Sequence, residues 1–90
     1  MAADLPHPAD GVVARRVEEE VVLVHLETNR IYSLNRTGAR LWELLGETRS
    51  RDVVVDRLTA EFGAPRDEVA AEVDAVLQSL AAEQLVDGNG

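Results

Sequence analysis

The chain has 90 residues, a net charge of −8 and no cysteine, and 46% of its residues are apolar. This length is enough for one small domain, and the lack of cysteine excludes disulfides, thiolate metal sites and a cysteine nucleophile. A surface this acidic repels the phosphates of nucleic acids and favours basic or neutral partners.

The first eleven residues are polar, contain Pro6 and Pro8, and show no hydrophobic periodicity. We expect a flexible N-terminal tail over residues 1–11, one folded domain over residues 12–87, and a flexible C-terminal tail over residues 88–90. The start lacks the basic and apolar regions of a signal peptide, and no segment is apolar enough to span a membrane. We therefore expect a cytoplasmic protein without a membrane partner.

Three strands follow the tail, and each is short and rich in β-branched residues. They are predicted at Val12 to Glu19, Val21 to Glu27 and Arg30 to Asn35. Asn29, in the second turn, is the residue there that most readily takes a positive φ. The pattern predicts an antiparallel meander in which the third strand has a neighbour on one side only.

Three helices are predicted after the strands. Asn35 or Thr37 caps the first, which carries Trp42 and ends at Gly46. The second begins after the cap Ser50 and ends at Gly63, and the third runs from Pro65 to about Glu83. Segregated strands and helices predict an α+β fold, a three-stranded antiparallel sheet followed by three helices, with the last two helices as a helix-turn-helix.

A helix-turn-helix suggests DNA binding, but the charge of the third helix argues against it. From Pro65 to Asp87 the chain holds one arginine, Arg66, and six acidic residues. A recognition helix needs cations to neutralise phosphates. A winged-helix DNA-binding regulator is therefore only an alternative from another functional class.

Catalytic chemistry has no support in the sequence. The two histidines, His7 and His25, lie in the tail and in a strand, and without cysteine they form no zinc set. Ser33 and Ser50 have no evident base partner, and the glycines form no phosphate-binding loop. We expect no catalytic residue, no metal and no cofactor.

The unpaired third strand indicates peptide binding. A bare strand edge exposes N–H and C=O groups that can accept an extended peptide as an added strand. Because side chains alternate along a strand, either Tyr32 and Leu34 or Ile31 and Ser33 would form one wall of the site. The sequence leaves this choice open.

Short motifs in a fixed order resemble the family of coenzyme PQQ synthesis protein D. They are Leu34-Asn35, Thr37-Gly38-Ala39, Trp42, Leu44-Leu45-Gly46, Glu72-Val73, Val76-Leu77 and Leu80. A departure is Gln84, where the family often has glycine. The resemblance implies a winged helix-turn-helix-like domain that binds the leader of a ribosomally made precursor peptide. In that family the leader lies antiparallel to the third strand, in a cleft bounded by the third helix.

Within the family, this chain is most similar to the stand-alone leader-binding proteins of lasso peptide biosynthesis. Such a protein presents the precursor to a separate leader peptidase, and a cyclase then closes the ring. The alternative within the family is a peptide chaperone that serves a radical SAM enzyme in the PQQ pathway.

The predicted peptide-binding residues come from the third strand and the third helix. The helix contributes small and apolar side chains for a shallow recess, and acids that would meet basic leader residues. The set is Arg30, Ile31, Tyr32, Ser33, Leu34, Asp67, Ala70, Val73, Asp74 and Leu77.

Overall fold

The computed structural model describes residues 5–87, and the predicted tail segments 1–4 and 88–90 lie outside these residues. The elements in chain order are β1 (His7–Pro8), β2 (Val12–Val17), β3 (Glu20–His25), β4 (Arg30–Leu34), α1 (Arg36–Leu45), α2 (Arg51–Phe62), α3 (Arg66–Ala82) and β5 (Val86–Asp87). The predicted α+β fold is confirmed, with β2, β3 and β4 as the three strands of the main sheet.

The main sheet is an antiparallel meander in the order β2-β3-β4. A two-residue turn joins β2 to β3 and places Glu18 at a φ of 59°. The turn between β3 and β4 contains Asn29 at a φ of 60°, as the sequence predicted. Both registers run without interruption, so neither pair contains a bulge.

One hydrogen bond fixes the direction of the backbone groups throughout the sheet. The N–H of Leu26 donates to the carbonyl of Gly11 at 2.8 Å. The backbone N–H and C=O groups of Leu26 therefore point toward β2. Backbone groups alternate in direction along an antiparallel strand, so Val21, Leu23 and His25 direct theirs toward β4. Their partners on β4 in this register therefore form hydrogen bonds with β3. The backbone N–H and C=O groups of the β4 residues between those partners point away from β3, toward the open edge.

The core lies between one face of the sheet and the helices. Its most completely buried side chains are Leu23, Leu41, Leu44, Val54, Val55, Leu58, Val73, Leu80 and Leu85. Trp42 belongs to the same cluster and is 9% exposed. The side chain of Asn35, rather than Thr37, caps α1 by accepting from the N–H of Gly38 at 2.9 Å.

Part of the predicted N-terminal tail belongs to the domain. Leu5 is 3% exposed and joins the hydrophobic core, and its N–H donates to the carbonyl of Arg49 at 2.8 Å. Residues 7 and 8 pair with β5 in a two-stranded ribbon. The expected domain boundary at residue 12 was therefore too late, because one isolated leucine between polar residues gives no periodic signal.

The link between α3 and β5 turns at Gln84, whose φ is 61°. Glycine takes this left-handed conformation most readily, and it is the residue that the family of coenzyme PQQ synthesis protein D often has at this position. The turn places Leu85 in the core and lets Val86 pair with Pro8. Among the described residues, no helix is both long and apolar enough to cross a membrane.

Candidate functional site

β4 forms one edge of the sheet, and its second side has no strand partner within residues 5–87. The ladder directs the N–H and C=O groups of Ile31 and Ser33 away from β3, toward this open side. The Ile31 side chain is 69% exposed, and Ser33 is also exposed. The edge therefore offers two donors and two acceptors to an extended chain.

The structure resolves which face of β4 meets the helices. Leu34 is 3% exposed and belongs to the core, and Tyr32 is half-buried against it. Ile31 and Ser33 lie on the opposite face of the sheet. Tyr32 is thus the β4 side chain that lies on the helix side and is still partly accessible.

The C-terminal end of α3 lies beside the start of β4. Nη1 of Arg30 donates to Oε1 of Glu83 at 2.7 Å, and Glu83 directly follows the helix. This contact identifies the flank of α3 that faces β4, because helix residues three and four positions before Glu83 lie on the same side of the helix. We call this flank, composed of Glu72, Val76, Ser79 and Glu83, the groove flank.

The groove flank and β4 form two walls of equal length. Five strand residues extend about 16 Å, and the eleven steps from Glu72 to Glu83 extend about 16 Å along the helix. At one end the groove opens into a depression of about 340 Å³, lined by Thr28, Arg30, Ala82, Glu83 and Gln84. Val76 and Ser79 are half-buried.

The predicted helix residues lie mainly on another flank of α3. Arg51 of α2 forms two hydrogen bonds with Asp74, both 2.9 Å long. Arg66 pairs with Asp52 and Asp56 of α2. These ion pairs place α2 against a second flank of α3. At 100° of rotation per residue, this flank lies about 150° around the helix axis from the groove flank.

The structure therefore does not bring the predicted helix residues to the open edge of β4. Ala70 and Leu77 lie on the α2 flank with Asp74, and Asp67 lies two turns before Asp74 near the same flank. Val73 is 1% exposed and belongs to the core. The predicted helix residues and the groove flank lie on opposite sides of the buried stripe, and apolar side chains border this stripe on both sides.

The residues of the groove flank, Glu72, Val76, Ser79 and Glu83, were not among the predicted peptide-binding residues. Their spacing of four, three and four is visible in the sequence, but their mixed polarity is typical of an ordinary exposed flank. Of the predicted residues of β4, Arg30, Ile31 and Ser33 are exposed, Tyr32 is half-buried and Leu34 belongs to the core. Only the tertiary arrangement distinguishes the two flanks of α3.

Two hydrogen-bonded ion pairs of α2 lie away from the groove. Hydrogen bonds from Arg51 lower the pKa of the Asp74 carboxyl, and bonds from Arg40 lower the pKa of the Glu61 carboxyl. These pairs hold α2 against α3 and α1. Within residues 5–87, no group of three or more metal-ligating side chains comes together.

The fold and the groove define an α+β, winged helix-turn-helix-like domain with a bare strand edge that faces a helix. The chain belongs to the family of coenzyme PQQ synthesis protein D (PqqD), whose sequence profile matches residues 20–86. This match includes β3, β4 and all three helices, and therefore both walls of the groove. A comparison with curated proteins finds no match.

Two solved structures are similar to this chain. TbiB1 in complex with the TbiA(beta) leader peptide is 33% identical, with a TM-score of 0.85, and the match covers 93% of this chain and 98% of TbiB1. A lasso peptide synthetase B1 complexed with the leader peptide is 20% identical, with a TM-score of 0.82, and the match covers 91% and 96%. The second similarity, at this identity, concerns the fold alone.

Proposed function

We propose that this protein binds the leader segment of a ribosomally synthesised precursor peptide and presents it to a separate leader peptidase in lasso peptide biosynthesis. The leader would add a strand to β4. The observation that carries this proposal is the outward direction of the Ile31 and Ser33 backbone groups, opposite the groove flank of α3. The similarity to TbiB1, solved with a leader peptide, supports it.

An added strand antiparallel to β4 would enter near Leu34 and leave near Arg30. About five leader residues would fit beside β4, and alternate side chains would point into the groove. Those side chains would contact Tyr32 on the strand wall and Val76 on the helix wall. The ion pair between Arg30 and Glu83 lies at the exit and would limit the length of the added strand.

Charge would add selectivity to the backbone contacts. Glu72 is exposed on the groove flank, and Glu68 lies one turn before it. Basic residues of the leader would meet these carboxylates, a role that the sequence predicts for Asp67 and Asp74. Such pairs at a solvent-exposed rim contribute only about 0.2–1 kcal/mol each.

The protein would act without catalysing a reaction itself. Its role would be to hold the leader extended, so that a separate peptidase, and then a cyclase, can act on the precursor. Binding energy would come from backbone hydrogen bonds and the apolar contacts of Tyr32 and Val76.

Amide hydrogen exchange with a synthetic leader tests the proposal. The leader would be that of a precursor encoded beside this gene, and a scrambled peptide of the same composition would be the control. We expect new protection at Ile31 and Ser33, whose N–H groups point outward, and little change at Tyr32. Protection confined to the helices, or equal protection by the scrambled peptide, would contradict strand addition at β4.

A further inference from the structure

The sheet has a second bare edge. β2 occupies the edge opposite β4, and no element pairs with its outer side within residues 5–87. The ladder directs Val13, Arg15 and Val17 toward β3, so the N–H and C=O groups of Ala14 and Arg16 point outward. The strand is well exposed, with Val13 at 48% and Val17 at 52%.

This edge differs in charge from the rest of the protein. β2 carries Arg15 and Arg16 and no acidic residue, in a chain whose net charge is −8. Within the described residues Arg15 forms no ion pair, and Arg16 pairs with Glu43 while its side chain stays 55% exposed. The acidic turn that begins at Glu18 marks one end of the basic segment.

We propose that β2 is a second strand-addition site, which takes an extended acidic segment of another protein. Neighbouring residues of a strand point to opposite faces, so Arg15 lies on the outer face and Arg16 on the helix face. A segment with two adjacent acidic residues would therefore place one carboxylate against each arginine. The basic segment ends at the acidic turn, which would set the register of the added strand.

The site is independent of the peptide proposed to bind β4. β3 separates the two edges, which lie about 10 Å apart at a spacing of about 4.8 Å per strand. Both edges could be occupied at once, giving a five-stranded sheet. Failure of one site would leave the other unaffected.

A second copy of this chain fits the β2 edge less well than an acidic segment does. Antiparallel pairing of two β2 strands would bring arginines of both copies close to one another, and like charges across strands are destabilising. Charged side chains on edge strands are a common device against edge-to-edge pairing of copies. The same arginines would attract an acidic strand.

The test uses two blocked peptides of valine and threonine that differ only in their two central residues, both glutamate or both lysine. Titration into the isotope-labelled protein is followed by amide chemical shifts. We expect the glutamate peptide to shift the amides of Ala14 and Arg16, with a Kd of about 1 mM or tighter. The lysine peptide should bind at least tenfold more weakly.

Two variants make the test specific. Ala14→Pro removes an outward N–H and should abolish these shifts. Arg15→Glu changes an exposed side chain and should reverse the preference between the two peptides, and it still tests the site if the proline variant does not fold. In the Arg15→Glu variant, leader-induced protection at Ile31 and Ser33 should persist.

Three results would overturn the proposal. The first is no shift at Ala14 or Arg16 with either peptide at millimolar concentration. The second is equal binding of the glutamate and lysine peptides. The third is a concentration-dependent dimer that gives the same shifts without peptide, which would show that a second copy occupies the edge.

Discussion

Arg30 and Glu83 form an ion pair of 2.7 Å between the first residue of β4 and the residue that follows α3. This contact brings two elements together across a groove, although they are separated by most of the helical part of the chain. It also identifies the flank of α3 that faces the groove.

Val76→Ala should weaken leader binding by about three- to tenfold, because Val76 lies on the groove flank and loses apolar contact with the peptide. The matched control is Leu77→Ala, which removes a half-buried side chain beside α2. That variant should lower the free energy of unfolding by about 1–2 kcal/mol and leave leader affinity unchanged. Titration calorimetry and thermal melts on both variants would decide, and the reverse pattern would show that we have assigned the wrong flank.

Ser33→Pro should weaken leader binding by about tenfold or more, because proline lacks the outward N–H that would donate to the leader. The lost hydrogen bond is worth about 1 kcal/mol, and the fixed φ of proline weakens binding further. Its fold should remain, since this N–H does not pair with β3. Tyr32→Pro is the contrasting variant, because it removes a bond within the sheet and should destabilise the domain. Circular dichroism and leader titration separate the two effects. Unfolding of Ser33→Pro would show that the N–H of Ser33 does pair with β3.

Glu72→Gln should lower affinity for a leader that carries lysine or arginine opposite the groove flank. The expected loss is about two- to fivefold at low salt and smaller at high salt, because an exposed pair is screened. Asp74→Asn is the control, since Asp74 faces α2 and its replacement should leave affinity unchanged. If parent affinity does not change with salt, the acidic residues do not contact the leader.

Leu5→Ala should destabilise the domain by about 2–3 kcal/mol, because it leaves a cavity in the core. The control is Leu26→Ala, at a side chain that is 60% exposed, which should change stability by less than about 0.5 kcal/mol. Denaturant unfolding measures both. Equal stability of Leu5→Ala and the parent would show that the N-terminal segment is not packed as the structure describes.

Stability should fall in acid because Asp74 and Glu61 have lowered pKa values in the folded state. A carboxyl group with a lowered pKa stabilises the fold above its unfolded pKa, ordinarily 3.8 for aspartate and 4.5 for glutamate. That contribution is lost as the pH falls through the folded value.

The variant Asp74→Asn isolates one of these pairs. It should cost about 0.2–1 kcal/mol at neutral pH, since the pair is partly exposed. The difference in thermal stability between the variant and the parent should shrink as the pH falls below 3.8, the ordinary pKa of aspartate, because the parent carboxyl then becomes protonated as well. A difference that stays constant from pH 7 down to the pH at which the parent unfolds in acid would show that the effect of the variant is not electrostatic.

The sequence by itself determined the type and order of the three strands of the main sheet and of the three helices, but not the ribbon of β1 and β5. Period-two alternation, the turn residue Asn29 and the caps at Asn35 and Ser50 are local signals, and each acts within a few residues of its own position. The edge position of β4 followed from the same local pattern, because no further strand was predicted to cover it. The family resemblance rested on motifs that lie in these same elements.

The tertiary structure alone decided which residues form the groove and where the domain begins. Val76 and Leu77 are adjacent and apolar, and the packing of α2 against α3 decides that Val76 faces β4 while Leu77 faces α2. Leu5 enters the core because β1 pairs with β5, from the far end of the chain. Such contacts depend on the positions of whole elements, which no local pattern of side chains specifies.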